Sequence, residues 1–159
     1  MAHNKTIRNP QASFFKRQEL AYGGELLKKS KARQSGRPLS TKQSIHLVLR
    51  SSLAVGKWSF KTMSNKKAVQ EILQRFADKY FIKILSLAVV GNHLHLHIKL
   101  GKMFLYKKFI RAFTSAVAMK ITGLSRWKSK ADLQIKKFWD YRPFTKVIQV
   151  FRQYLHLRD

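Results

Sequence analysis

The segment Ile82–Leu100 constrains the fold of this chain more than any other part of its sequence. Two runs rich in strand-forming residues, Ile82–Val90 and His93–Leu100, are separated by Gly91-Asn92, a pair typical of tight hairpin turns. The second run alternates histidine with leucine or isoleucine, and successive side chains of a strand point to opposite faces of its sheet. The sequence therefore predicts a β-hairpin whose second strand has one apolar face and one histidine face.

Five further elements are predicted from apolar periodicity and end signals. A helix over residues 65–80 would follow an N-cap at Ser64, and a long amphipathic helix over residues 102–122 would end at Gly123. The remaining elements are a first strand at 44–50, a last strand centred on 144–148 within 138–150, and a final helix beginning at 149. This β-α-β-β-α-β-α order predicts an α+β fold, a ferredoxin-like or RRM-like antiparallel sheet with its helices on one face.

The charge of the chain predicts a polyanionic partner. Lysine and arginine total 33 against 7 aspartate and glutamate residues, which gives a formal net charge of +26. Self-repulsion of this size opposes a compact state, and nucleic acid relieves it while releasing its own counterions. Charge alone does not distinguish DNA from RNA, because ribosomal proteins are equally basic.

The composition also divides the chain and excludes some functions. Residues 1–43 are predicted to form a basic N-terminal arm, broken by Gly23-Gly24 and Gly36-Arg37-Pro38, ahead of a domain over 44–159. The chain contains no cysteine, which excludes disulfides and thiolate metal sites and fits a cytoplasmic location. No apolar stretch is long enough to cross a bilayer, so we expect no membrane partner.

The histidine strand is a candidate metal site. Side chains of His93, His95 and His97 are predicted to share one face, where two imidazoles two residues apart can chelate one divalent cation. The alternative is an ordinary half-exposed strand whose polar face happens to be histidine. His97 is expected to support the ligands or the fold rather than bind metal, and His46 of the first strand is a further candidate for that supporting role.

A resemblance to a known family extends this interpretation. The residues Gly91-Asn92-His93-Leu94-His95-Leu96 resemble the signature of single-tyrosine HUH transposases, a group that includes insertion-sequence transposases and their REP-associated relatives. Three more blocks resemble a bacterial subgroup of this family, at residues 37–50, 109–112 and 138–145. The four blocks occur in order and extend the resemblance to about residues 37–159.

The resemblance implies a specific chemistry. A Mg²⁺ or Mn²⁺ ion on His93 and His95 would polarise the scissile phosphate of single-stranded DNA, and a tyrosine of the C-terminal helix would attack it. The implied substrate is a hairpin with flanking single strand, bound by a homodimer.

The nucleophile is the open question within that resemblance. Tyr154 is the only tyrosine of the final segment and is the candidate by position, with Tyr141 a poorer one. In the similar subgroup, however, the catalytic tyrosine directly follows the stretch that resembles residues 155–159. The domain is therefore expected to end just before that tyrosine, and the chain to be either a shortened enzyme or a protein that has lost cleavage.

Basic residues beside aromatic rings mark a candidate DNA-binding surface, because single-strand binders combine phosphate contacts with rings on which bases stack. Trp127 lies in a polar loop and is expected to contact nucleic acid, whereas Phe138 and Trp139 are expected to belong to the core. The candidate nucleic-acid-binding residues are Arg50, Lys57, Arg111, Arg126, Trp127, Lys128 and Arg142.

Two other functions remain open at this stage. The first is a catalytically inactive, domesticated or truncated relative that binds structured DNA or RNA. The second is a ribosome-associated RNA-binding protein, since RRM domains use a similar sheet. Histidines occupy the central-strand positions where RRM domains carry aromatic residues, which counts against the second function.

Overall fold

The computed structural model describes residues 37–124 and 137–148, which contain four strands and two α-helices. The predicted helix after residue 149 and almost all of the predicted N-terminal arm lie outside the described residues. A 3-10 turn precedes each α-helix, at Gly56–Trp58 and Met103–Leu105. In chain order, the main elements are β1 (Ile45–Arg50), α1 (Met63–Lys79), β2 (Ile82–Val90), β3 (His93–Leu100), α2 (Tyr106–Thr122) and β4 (Phe144–Val147).

The four strands form one antiparallel sheet in the order β2-β3-β1-β4. Strands β2 and β3 are joined by the predicted Gly91-Asn92 turn, and β1 pairs antiparallel with both β3 and β4. The predicted α+β fold with a ferredoxin-like sheet is confirmed. Because β1 and β3 are the two central strands, residues far apart in sequence meet at the middle of the sheet.

The core lies between one face of the sheet and the two helices. The central strands bury Leu47, Leu96 and Ile98 completely, and these side chains form one cluster with the buried residues of both helices. Full burial of such a side chain stabilises the fold by about 1.5–3 kcal/mol. The sheet residues in this cluster are Ile45, Leu47, Leu49, Ile82, Leu94, Leu96, Ile98 and Leu100. The helices therefore cover one face of the sheet, and the histidines lie on the other.

Both helices begin at positions that differ from the predictions. The N-cap of α1 is Thr62, not Ser64: the Thr62 hydroxyl accepts a hydrogen bond from the backbone N–H of Asn65 at 3.3 Å. Thr62 has the extended backbone that an N-cap needs, whereas Ser64 is already helical. Helix α2 begins at Tyr106 because the residues before it form a 3-10 turn, and it ends at Gly123 as predicted, in a left-handed conformation with φ 70°.

Strand β2 contains a β-bulge at Leu85. Ile84 lies opposite Ile98 of β3, but the next paired residue is Ser86, opposite His97. The extra residue restores Leu87 to the core face after the bulge. The sequence carries this signal, since the apolar alternation of β2 changes phase between Ile84 and Leu87. No helix in residues 37–124 or 137–148 is long and apolar enough to cross a membrane.

Candidate functional site

Four histidines gather on the side of the sheet opposite the helices, which we call the histidine face. His93, His95 and His97 of β3 alternate with buried Leu94, Leu96 and Ile98, so they share this side. The strand register places His46 of β1 opposite His97 and Arg50 of β1 opposite His93. The sheet therefore brings residues from two distant parts of the chain to one surface.

A contact between His46 and His95 is the central feature of this face. The Nε2 atom of His46 lies 3.2 Å from the Nδ1 atom of His95, and the two rings are stacked with their centroids 5.4 Å apart. Burial, and then the neighbouring His95, His97 and Lys146, together lower the pKa of His46 to about 4. Burial, and then the neighbouring His93, also lowers the pKa of His95. Both rings are therefore neutral at neutral pH, so one donates and the other accepts the hydrogen bond.

His93 lies beside His95 and completes a row of three rings. The centroids of the His93 and His95 rings are 6.1 Å apart, and their planes are tilted by 36°. A ring nitrogen lies about 2.1 Å from a bound divalent metal, so both rings can reach one ion only if they turn toward each other. Within residues 37–124 and 137–148, no three histidine, aspartate or glutamate side chains are arranged to hold one metal ion. The described donor set is thus the imidazole pair of His93 and His95.

His97 occupies a different environment from its neighbours. Only 3% of its surface is exposed, and its Nε2 atom lies 2.7 Å from the hydroxyl oxygen of Ser44. Burial lowers the pKa of His97 as well. The backbone carbonyl of Ser44 accepts a hydrogen bond from Ile148 N–H at 2.9 Å. His97 therefore contacts Ser44, the residue whose backbone hydrogen bond links the start of β1 to the end of β4.

Arg50 is held at the edge of the histidine face by Asp140, a contact that sequence reasoning missed. The Nε atom of Arg50 lies 3.4 Å from Oδ2 of Asp140. The other carboxylate oxygen accepts hydrogen bonds from the backbone N–H and the hydroxyl of Ser52, both at 2.8 Å. Desolvation raises the pKa of Asp140, but the Ser52 hydrogen bonds and the charges of Arg50 and Lys137 outweigh it and lower the pKa overall. The sequence offered one signal for this contact, since Asp140 is one of only 7 acidic residues in a strongly basic chain.

The structure separates some of the other predicted site residues. Lys57 is exposed on the 3-10 turn that precedes α1, and Arg142 is exposed on the loop before β4. Arg111 is exposed on α2, so the sheet lies between it and the histidines. Tyr141 is 71% exposed on the loop before β4. Four predicted site residues lie outside the described part of the chain: Arg126, Trp127, Lys128 and Tyr154.

The aromatic pair before β4 behaves as predicted. Phe138 is buried in the core cluster, and Trp139 is partly buried against it. The Trp139 ring N–H donates a hydrogen bond to the backbone carbonyl of Thr114 on α2 at 2.9 Å. This pair therefore anchors the loop that carries Asp140 to the hydrophobic core.

Comparison with known proteins assigns the chain to a family. Residues 40–154 match the family described as "Transposase IS200 like". The chain therefore belongs to the IS200-like transposases, and the resemblance seen in the sequence is confirmed. No curated protein matches the chain.

Two solved structures resemble the fold. One is a REP-associated tyrosine transposase bound to a REP hairpin, with a TM-score of 0.54 and 11% sequence identity, aligned over 77% of this chain and 66% of that one. The other is a protein of Deinococcus radiodurans R1 assigned as a transposase, with a TM-score of 0.48 and 15% identity over 78% and 92% of the two chains. At 11% identity, the likeness to the first structure supports the fold alone.

Proposed function

We propose that the protein binds single-stranded or hairpin-containing DNA across its histidine face, and nicks and rejoins it by metal-dependent tyrosine transesterification. The observation that carries the proposal is the pair of imidazoles, His93 and His95, side by side on the face of the sheet opposite α1 and α2. Arg50 stands directly opposite His93 and supplies a positive charge for a phosphate. Membership of a transposase family and the net charge of +26 support the same role.

His93 and His95 would hold the Mg²⁺ or Mn²⁺ ion. Two nitrogen donors leave most of the coordination shell to oxygen atoms, which these cations prefer and which water and a DNA phosphate can supply. When bound, the ion stabilises the negative charge that develops on the phosphoryl oxygens. Because only two described side chains hold it, we expect its affinity in the absence of DNA to be weak.

His46 would act as a positioning residue for His95. If the Nδ1–H of His95 donates to Nε2 of His46, the Nε2 lone pair of His95 is left for the ion, and the ring cannot rotate freely. The lowered pKa of His46 keeps its ring neutral and able to accept that hydrogen bond. Ser44 holds His97 in a comparable way, but His97 is almost fully buried and is better placed to support the sheet.

The proposed reaction exchanges one phosphoester for another. The tyrosine oxygen bonds to phosphorus as its proton is lost to water, and the bond from phosphorus to the 3′-oxygen breaks. The departing oxygen takes up a proton from water, which leaves a 5′-phosphotyrosine and a free 3′-hydroxyl. Attack by a 3′-hydroxyl on the phosphotyrosine reverses these steps and rejoins the strand without ATP. Tyr154 is the candidate nucleophile within the residues that match the family, and Tyr141 is the alternative.

Metal binding is the first test of this proposal. Titration of Mn²⁺ into the protein, followed by the loss of the free-ion EPR signal, should show one weak site. His93→Ala and His95→Ala should each abolish it, and His46→Ala should weaken it about tenfold, the usual effect of losing a partner of a metal-bound histidine. His3→Ala, in the N-terminal arm, is the matched control. Mn²⁺ binding that survives both His93→Ala and His95→Ala contradicts the proposal.

Covalent capture of DNA is the second test. Labelled hairpin DNA with a single-stranded flank should form a protein adduct that resists denaturation in the presence of Mn²⁺. The protein should carry any residues that its gene encodes beyond Asp159. Tyr154→Phe should abolish the adduct if Tyr154 is the nucleophile, with Tyr141→Phe as the matched variant. If no adduct forms, the proposed cleavage is wrong.

A second candidate function is binding without cleavage. The observation that favours it is the absence, among the described residues, of a third side chain to complete a metal site. It predicts salt-dependent binding of structured DNA or RNA that His95→Ala leaves unchanged. The logarithm of the binding constant should fall with the logarithm of salt by about 0.7 per phosphate contact on single strands. A homodimer remains a prediction, and light scattering with and without hairpin DNA would test it.

A further inference from the structure

Phe81 lies between the C-cap of α1, Tyr80, and the first residue of β2, in a conformation that its side chain disfavours. Its φ is 56°, and it is the only residue other than glycine with a positive φ in the described part of the chain. Bulky residues rarely adopt this left-handed region, because the Cβ atom crowds the backbone. The side chain is 62% exposed and lies outside the core cluster, so burial of the ring does not offset the strain.

Gly101, the residue after β3, lies directly against the backbone of Phe81. The carbonyl of Phe81 accepts a hydrogen bond from Gly101 N–H at 2.9 Å. A Cβ atom at position 101 would lie 2.6 Å from that carbonyl oxygen, so this close approach requires glycine. Strained residues that the surrounding structure holds in place are frequent at ligand-binding sites. The backbone that carries the exposed ring is therefore held in place between α1 and β2.

Two lysines lie opposite each other one step farther along the same strands. Lys83 of β2 pairs directly with Lys99 of β3, and the buried neighbours Ile82, Ile98 and Leu100 place both on the histidine face. Like charges in direct opposition destabilise a sheet. No strand carries an acidic residue, and Arg50–Asp140 is the one ion pair among the described residues. Lys102 adds a third charge, with its Nζ atom 5.2 Å from the centroid of the Phe81 ring.

The position of these residues relates them to the histidines. Lys99 follows His95 by four residues on the same side of β3, a distance of about 13 Å at roughly 3.3 Å per residue. A single strand with one phosphate at His93 and His95 can therefore extend along β3 to the lysine pair. An exposed ring two residues before a cross-strand pair of cations offers the combination that single-strand binders use, with bases stacked on the ring and phosphates on the charges.

We infer that Phe81, Lys83 and Lys99 form a subsite for one unpaired nucleotide, with its base stacked on Phe81 and its phosphate between the two lysines. The inference rests on the proposed function, because it takes the bound strand to continue from the histidine face. The paired positive charges indicate a nucleic-acid ligand, and the exposed ring indicates that the bound base is unpaired. DNA and RNA share this chemistry.

The test measures binding and folding on the same variants. Fluorescence anisotropy with labelled oligothymidine, in EDTA and over a range of salt concentrations, reports single-strand binding without any metal. Phe81→Gly removes the ring and also relieves the positive φ, so binding should weaken about tenfold while the melting temperature stays equal or rises. Phe81→Tyr keeps a ring and should bind as the wild type does. The affinity for a blunt duplex of equal length should be the same in Phe81→Gly as in the wild type.

The lysine pair has a matched control on α1. Lys83→Gln with Lys99→Gln should reduce the salt slope by about 0.7, because the pair holds one phosphate and each phosphate contact on a single strand contributes about 0.7. Lys66→Gln with Lys67→Gln makes the same charge change on an exposed part of α1 and should alter the slope much less. An equal reduction of the salt slope in the two double variants would show that binding responds only to net charge, and would overturn a local phosphate site.

The outcomes separate this inference from the proposed function. A wild-type protein that fails to bind oligothymidine at low salt contradicts the proposed function and the subsite together. A wild-type protein that binds, but is unchanged by Phe81→Gly, contradicts the subsite alone. Equal weakening of single-strand and duplex binding by Phe81→Gly also overturns it, because the ring would then not be stacking on a base. Equal binding of oligothymidine and oligouridine would extend the site to RNA.

Discussion

The two faces of β3 share one backbone but differ in how they contribute to stability. On the face toward the helices, which we call the leucine face, Leu94, Leu96 and Ile98 are completely buried and packed in one cluster. On the histidine face, His46 and His95 are partly buried rings with lowered pKa values. The leucine face accounts for the fold, while the histidine face carries features that stability alone does not require.

This difference suggests where the binding chemistry lies. Desolvated imidazoles and the opposed pair Lys83 and Lys99 each work against the stability of the isolated protein. Local features that disagree with the rest of a fold are expected at functional sites. The comparison therefore predicts that substitutions on the leucine face cost stability, whereas those on the histidine face cost ligand binding.

The largest effect is expected from Leu96→Ala on the leucine face. Leu96 is completely buried, and removing such a side chain costs about 2–5 kcal/mol, because the cavity refills only partly. Urea denaturation should show this loss in the free energy of unfolding. His93→Ala, three residues away on the same strand, should change it by less than about 1 kcal/mol. Equal losses in the two variants would break the distinction between the faces.

Acid should destabilise the metal-free protein through the histidine face. The pKa of His46 is about 4 in the folded state against an ordinary 6.5, so between these pH values the folded protein binds fewer protons than the unfolded chain. The free energy of unfolding therefore falls as pH falls through this window. The lowered pKa values of His95 and His97 act in the same direction.

His46→Gln separates this pH effect from packing. Urea denaturation between pH 7 and pH 4 should show a shallower dependence for His46→Gln than for the wild type, because one proton-linked group is gone. Leu96→Ala should lower the free energy of unfolding by a similar amount at every pH. A dependence in His46→Gln as steep as in the wild type would mean that other groups control the acid response.

Asp140→Ala should move stability and DNA binding in opposite directions. The substitution removes the acceptor of two Ser52 hydrogen bonds and the partner of Arg50, and it should cost about 1 kcal/mol in thermal or urea unfolding. It should also tighten binding of hairpin DNA, since Arg50 no longer has a competing carboxylate. Glu71→Ala makes the same charge change on α1 and is the control. Tightening no greater than in Glu71→Ala would mean that Arg50 does not contact DNA.

The leucine face could be predicted from sequence because its signals are local. Alternation with a period of two assigns Leu94 and His95 to opposite faces whatever the rest of the chain does. The hairpin turn and the helix end at Gly123 follow equally from a few neighbouring residues. This is why the order of the elements and the sheet class were predictable.

The contacts of the histidine face depend on strand register and could not be read in the same way. The distance between His46 and His95 is set by how β1 pairs with β3, across 49 residues of sequence. The link between Asp140 and Arg50 likewise depends on the loop before β4. Phe81 is not glycine, so its residue type does not signal the positive φ that it adopts after the C-cap of α1. The space for its carbonyl depends on Gly101, 20 residues away in the sequence.

The smallest effect is expected from Lys99→Gln, and its sign is the informative part. Removing one of two directly opposed charges should raise the free energy of unfolding by about 0.5 kcal/mol at low salt. The gain should shrink as salt screens the pair, whereas a packing effect would not. Urea midpoints at low and high salt would measure it, with Lys66→Gln on α1 as the control. If Lys99→Gln is less stable than the wild type at low salt, Lys99 stabilises the fold, and charge repulsion between the two lysines does not destabilise the histidine face.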